Sequence, residues 1–321
     1  MRMRKDGPGN LTNLNQYLFT VNAGSNTLSM FRISPHDPTH PELVGQPCDT
    51  MGGFPVSVDY SPTLKTACVL NGGAIAGVAC FHADHAEGLT PLGGLRPFPV
   101  GLNTTTPPVG PVNTASAIVF NPSSTALFVS IKADGMGTPP RSGYIYAWPV
   151  YDGEVATEPV INHLNVLKVD FSINFLGYDT RALVTDASFG ASIVEIAYPS
   201  LEITELHHIV VANQVAACWG AYAPRFDAAY IIDAGSPNIT VVDPESGAIK
   251  ATIELQRQGM GGFDDTAIDR TWMYVLGGDS SVVVVDLEGS NYGKVPTQVQ
   301  RYDLAGEGPT GGWQGMAIYP S

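Results

Sequence analysis

Apolar residues in this chain gather in short runs of Val, Ile, Leu, Tyr and Phe, punctuated by Gly, Pro, Asn and Asp. That is the pattern of half-buried and buried strands between tight turns. No segment sustains the 3.6-residue apolar period of a helix. A unit recurs: an apolar strand ending near Pro, a turn, a second strand ending in small residues, then a third strand. Its clearest copy is Val56–Pro62, Thr66–Gly73 and Gly77–Phe81. Others start at Ala117, Leu167, Trp219 and Thr266. The ends of the second strands are expected at Asn22, Asn71, Ser130, Asp186, Asp233 and Gly277, about 44 to 59 residues apart, the span of one four-stranded blade each. The N-terminus offers only second and third strands, and Gly315–Pro320 offers only a first strand. Together they predict an all-β, six-bladed β-propeller closed by pairing of the C-terminal strand with the N-terminal blade; seven blades is the alternative. Residues 1–14 read as a tail and 15–321 as one propeller domain.

Propeller topology puts the loops leading into first strands on the same face as the turns between second and third strands, and such loops are the usual seat of function. The lead-in loops carry Gly52-Gly53-Phe54, Gly261-Gly262-Phe263 and Gly311-Gly312-Trp313. Paired glycines permit close backbone approach, and the aromatic after each pair would wall a cavity. Phe54, Phe263, Trp313 and Trp219 are therefore the candidates to stack on a substrate, with Asn71 beside them. Asn113, Gln314 and Asp264 are candidates to orient or polarise it, and Lys132 to stabilise developing negative charge. Strand alternation implies that only one of Asp264 and Asp265 faces inward, as a hydrogen-bond acceptor or general base.

Charge narrows the partners. The chain has 16 Lys+Arg against 30 Asp+Glu, a net −14, and only 14% charged residues. An acidic surface is the wrong sign for nucleic acid and for anionic membranes, and no run is long enough to span a bilayer. A monomer that binds an apolar small molecule remains. The 35 Gly and 25 Pro fit a turn-rich fold. Nucleophile-elbow, P-loop, dinucleotide and zinc-protease motifs are missing, and the seven His fall in or after third strands, away from a channel. A central calcium would need 6–8 oxygen ligands, which the inner-strand starts do not supply, so neither metal nor cofactor is expected. The basic N-terminus has no apolar stretch behind it, so no signal peptide is read; three sequons, at Asn10, Asn103 and Asn238, leave a secretory route open beside a cytoplasmic one. Cys68 and Cys80 fall on adjacent strands where a disulfide would fit, but buried thiols are the expectation.

The run Tyr17–Phe31, and Gly53–Val58 followed by Val69–Gly73, resemble carboxymuconate-cyclase and lactonase-like propellers, including fungal secondary-metabolite propellers such as the trichothecene-cluster propeller and hetero-Diels–Alderases of tropolonic sesquiterpene pathways. The resemblance covers about the first 130 residues and implies a propeller fold. The Arg, Glu and His set of seven-bladed lactonases has no counterpart here, whereas aromatic walls with scattered Asn, Gln and Asp suit a cycloaddition that needs positioning and no nucleophile. A cofactor-independent natural-product cyclase is the leading expectation, lactone hydrolysis or lactonisation the second, and a non-catalytic binding propeller the third.

Overall fold

The computed structural model describes residues 16–100, 102, 104–132, 143–256, 262–289, 296–307 and 315–319. The predicted tail over 1–14, and Trp313 and Gln314, lie outside them. Six antiparallel meanders form the blades of an all-β propeller. Blade 1 holds β1 (Gln16–Asn22), β2 (Thr27–Ser34), β3 (Asp37–Leu43) and β4 (Cys48–Asp49). Blade 2 holds β5 (Pro55–Ser61), β6 (Thr66–Asn71), β7 (Gly77–Asp84), β8 (Gly88–Pro91) and β9 (Arg96–Pro97). Blade 3 has β10 (Thr114–Phe120), β11 (Ala126–Lys132), β12 (Tyr144–Tyr151), β13 (Glu154–Val155) and β14 (Val160–Asn162). Blade 4 follows with β15 (Asp170–Phe175), β16 (Arg181–Asp186), β17 (Gly190–Ile196) and β18 (Ile203–Val210). Blade 5 comprises β19 (Ala217–Ala223), β20 (Ala228–Asp233), β21 (Asn238–Val242) and β22 (Ile249–Glu254). Blade 6 comprises β23 (Phe263–Asp269), β24 (Trp272–Gly277), β25 (Ser281–Asp286) and β26 (Thr297–Asp303).

By internal contacts the chain divides into two compact units, one with blades 1–3 and one with blades 4–6. Within the first, neighbouring blades touch through β1 and β5 and through the first strands β5 and β10. Its core is blade laid on blade: Leu70 and Val78 of blade 2 pack with Ile118, Leu127, Val129 and Trp148 of blade 3, all buried. Within the second unit β15 touches β19, and β19 touches β23. There Tyr230 and Ile232 of blade 5 pack with Val275 and Val283 of blade 6. Each such side chain contributes about 1.5–3 kcal/mol of burial, which explains why so few charges suffice for this fold.

Three expectations need correction. The closing strand expected over 315–320 is not seen among its described residues: 315–319 carry no strand, and among the described residues β1 pairs only with β2. The Met316 N–H goes instead to a side chain, Asp265 Oδ2, at 2.7 Å. The first strand of blade 4 starts at Asp170 rather than Leu167, because the N–H groups of Lys168 and Val169 are taken by Asp186 Oδ2 at 2.6 and 2.9 Å and cannot join a ladder. Finally, Cys68 and Cys80 are a disulfide rather than thiols. They face each other directly across β6 and β7, with Cα atoms 4.1 Å apart.

Candidate active site at the start of the first strands

Five of the six blades share one irregularity. The ladder between first and second strand slips near its start, between Pro55 and Ser57, Ala115 and Ile118, Asp170 and Ile173, Ala217 and Trp219, and Phe263 and Asp265. A bulge leaves the extra residue unpaired and re-aims its side chain. The residue skipped is Val56 in blade 2, Cys218 in blade 5 and Asp264 in blade 6; blades 3 and 4 skip Ser116-Ala117 and Phe171-Ser172. Only blade 6 presents a carboxylate. The strict alternation expected for Asp264 and Asp265 does not hold at a bulge, and both carboxyl groups act on one locality.

A second departure from the repeat makes room there. In blades 4 and 5 the second strand ends in a buried Asp that ties down the lead-in loop. Asp233 takes the N–H groups of Val215 and Ala216, each at 2.8 Å, and of Gly235 and Ser236 in the following turn. Asp186 does the same for Lys168, Val169 and Ser188. Blade 6 has Gly277 at this position. A Cβ on Gly277 would stand 2.5 Å from Asp279 Oδ1, and one on Gly278 would stand 3.2 Å from Asp264 Oδ2. The space of the missing clamp is thus filled by the Asp264 and Asp279 carboxyl groups.

Asp264 is half-buried and makes no hydrogen bond among the described residues. Its carboxyl holds its proton above the ordinary Asp range, first because burial penalises the charge, then because Asp265 and Asp279 are negative. Asp265 is fixed, with Oδ1 accepting the Thr266 N–H and Oδ2 the Met316 N–H, both at 2.7 Å. Asp279 accepts Ser281 Oγ at 2.6 Å and Arg301 Nη2 at 2.9 Å. The latter pair is largely buried, at 17% and 11% exposure. In the same unit Trp219 and Phe171 meet edge to face, ring centres 4.9 Å apart, both half-buried on first strands. The Thr185 hydroxyl donates to the bulge carbonyl of Cys218 at 2.6 Å and stiffens this edge.

The remaining candidates fall as follows. Phe263 is 1% exposed and packed between blades 5 and 6. Asn71 is fully buried, with Nδ2 donating to Thr50 and Gly77 carbonyls. A ligand in solvent reaches neither side chain in this conformation. Phe54 is half-buried at φ +53°, its N–H bound by Asn26 Oδ1 at 2.8 Å. Asn113 stands at the equivalent place before β10, also at positive φ, +54°. Lys132 ends β11 and is 5% exposed. The glycine pairs of blade 2 seat a loop: a Cβ on Gly73 would lie 2.5 Å from Thr106 Oγ1, which accepts the Ala74 N–H at 2.8 Å. Sequence reasoning missed Phe171 and Arg301; Arg301 sits on a polar outer strand with no motif around it. Among the described residues no three His, Cys, Asp or Glu side chains form a metal-binding group. A small cavity beside Asp233 and Thr240 holds about 20 Å³, room for a water and far short of a substrate pocket.

Solved structures share the propeller fold. Pseudomonas aeruginosa periplasmic gluconolactonase matches with TM-score 0.67 and 14% identity, over 90% of this chain and 83% of its own. A Bacteroides fragilis protein provisionally assigned as a 6-phosphogluconolactonase matches with TM-score 0.63 and 12% identity, over 91% and 82%. A chain of the nidogen–laminin complex also matches, with TM-score 0.55 and 11% identity, over 89% and 92%. At these identities the likeness establishes the fold, a lactonase-like β-propeller, and not the activity. No protein-family model and no curated protein matches the sequence. Two of these three neighbours carry lactonase names and none a cyclase name; the fungal resemblance finds no counterpart among them. Among the described residues no helix is long and apolar enough to cross a membrane.

Proposed function

We propose that the protein is a lactone hydrolase with Asp264 as its general base. The observation that carries this reading is the bulge-presented, half-buried Asp264 carboxyl, free of hydrogen bonds among the described residues and raised in proton affinity; the lactonase-like fold supports it. A base raised toward neutrality is better matched to proton transfer at physiological pH than an ordinary carboxylate. Ionised Asp264 takes a proton from water as the water oxygen bonds to the lactone carbonyl carbon. The tetrahedral intermediate collapses with cleavage of the ring C–O bond, and the proton passes from Asp264 to the departing alkoxide. Lactone and water give one hydroxy acid, with nothing oxidised or reduced. The Trp219 and Phe171 rings offer an apolar wall for the lactone ring. Acid release measured at constant pH across a panel of five- and six-membered lactones tests this: turnover of at least one supports it, and inertness across the panel contradicts it.

The Trp219–Phe171 pair also favours a second reading, a cyclase that holds an apolar substrate in reactive geometry. Under it, Trp219→Ala abolishes product stereoselectivity while Asp264→Asn leaves the rate intact. The hydrolase reading expects the reverse weighting. A disulfide persists chiefly in oxidising compartments, so Cys68–Cys80 supports export of the protein.

A further inference from the structure

Asp265 occupies the ladder position just after the bulge of β23, paired with Leu276. The equivalent residues are Ser57 in blade 2, Ile118 in blade 3, Ile173 in blade 4 and Trp219 in blade 5. Only blade 6, the last before the chain ends, carries a carboxylate there. In blade 2 the Ser57 hydroxyl accepts the N–H of Ile118, which lies on the first strand of the following blade, at 3.4 Å. In blade 6 the Asp265 carboxylate accepts the N–H of Met316, 51 residues further on, at 2.7 Å. The terminal segment 315–319 is therefore held at its Met316 N–H as a following first strand is held, but more tightly. A charge-assisted bond of this kind is roughly twice as strong as a neutral one. The segment has no ladder of its own to hold it.

We propose that Asp265 is a clasp that seats residues 315–318 against β23 and, by that seat, positions Asp264 for proton transfer. The second half rests on the reading of Asp264 as the base; the first half stands without it. Asp265 touches no reacting atom and is a positioning residue. Its two oxygens are both engaged, by Thr266 and Met316, so its charge stays at one place beside Asp264. Among the described residues, the other charged groups set against Asp264 are Asp279, from the turn between β24 and β25, and through it Arg301 of β26.

Two variants separate clasp from charge. In Asp265→Ala the Met316 amide loses its acceptor, and hydrogen exchange at Met316 speeds up by about tenfold or more. In Asp265→Asn the amide oxygen still accepts from Met316, so protection survives while the charge is gone. The acid limb of the kcat/KM profile then moves to lower pH, because Asp264 loses a negative neighbour. Unchanged exchange in Asp265→Ala would overturn the clasp. An unmoved acid limb in Asp265→Asn would overturn the link to Asp264. Exchange needs no turnover, so an inert protein whose Met316 amide responds would defeat the base reading and leave the clasp standing.

Discussion

Replacing Asp233 by Ala tests whether the strand-end carboxylates are clamps. Asp233 is 4% exposed and accepts Val215 N–H and Ala216 N–H at 2.8 Å, Gly235 N–H at 2.8 Å, Ser236 N–H at 3.2 Å and Ser236 Oγ at 2.7 Å. Hydrogen bonds to a charged group contribute about 1.5–3 kcal/mol each, but not additively. Val215 is exposed and the turn at Gly235–Ser236 half-buried, so water recovers part of the loss. Counting the equivalent of two bonds that water does not replace gives about 3–6 kcal/mol of destabilisation for Asp233→Ala. Asp233→Asn keeps one acceptor oxygen but turns an NH₂ toward the loop donors, and about 2 kcal/mol follows. Urea unfolding followed by tryptophan fluorescence reads both, and hydrogen exchange at Val215 and Ala216 localises the effect. An Asp233→Ala protein within about 1 kcal/mol of the parent, inside the range of ordinary surface changes, would refute the clamp.

Other outcomes follow from the same structure. Removing the Cys68–Cys80 bond, whose partners are separated by 12 residues, costs about 3 kcal/mol by loop-closure entropy; Cys68→Ala with Cys80→Ala unfolding at the parent's urea midpoint would contradict this. Asp264 is protonated more readily folded than unfolded, so its ionised form opposes folding. That cost is fully present above the raised folded value and vanishes below the ordinary 3.8. Asp264→Asn is therefore expected to raise Tm at pH 7 and to lose that advantage near pH 3; a Tm lowered at pH 7 would count against the assigned shift. Among the described residues, Asp264 has two carboxyl neighbours, Asp265 and Asp279, and the Arg301 guanidinium is already held by Asp279. Neutral lactones should then exceed 6-phosphorylated ones in kcat/KM by about tenfold or more, and a preference for the phosphorylated lactone would overturn this.

The blade rhythm was legible because buried strands are apolar and their turns are punctuated by Gly, Pro and Asp. Five second-strand ends, Asn22, Asn71, Asp186, Asp233 and Gly277, fall where the pattern placed them; the sixth falls at Lys132 rather than Ser130. The outer strands were not legible. β3 reads Asp-Pro-Thr-His-Pro-Glu-Leu and is exposed throughout, so it carries no hydrophobic period. Of the site, Asp264 was visible as a carboxylate after a glycine pair, but its bulge was not, because a register slip belongs to two strands together. Asn71 and Phe263 share strand-end positions with solvent-reaching residues, and the period cannot say which end residues neighbouring blades cover. Asp265 and Met316 meet only through the fold.

The most direct test of the account compares kcat/KM for a neutral lactone between the parent and Asp264→Asn, with Tm confirming that the variant is folded. A general base contributes about 10²–10⁴-fold, so the account predicts a fall of that size, with the parent's acid limb lying above the ordinary carboxylate range. A folded Asp264→Asn enzyme retaining the parent's kcat/KM to within about threefold would contradict it.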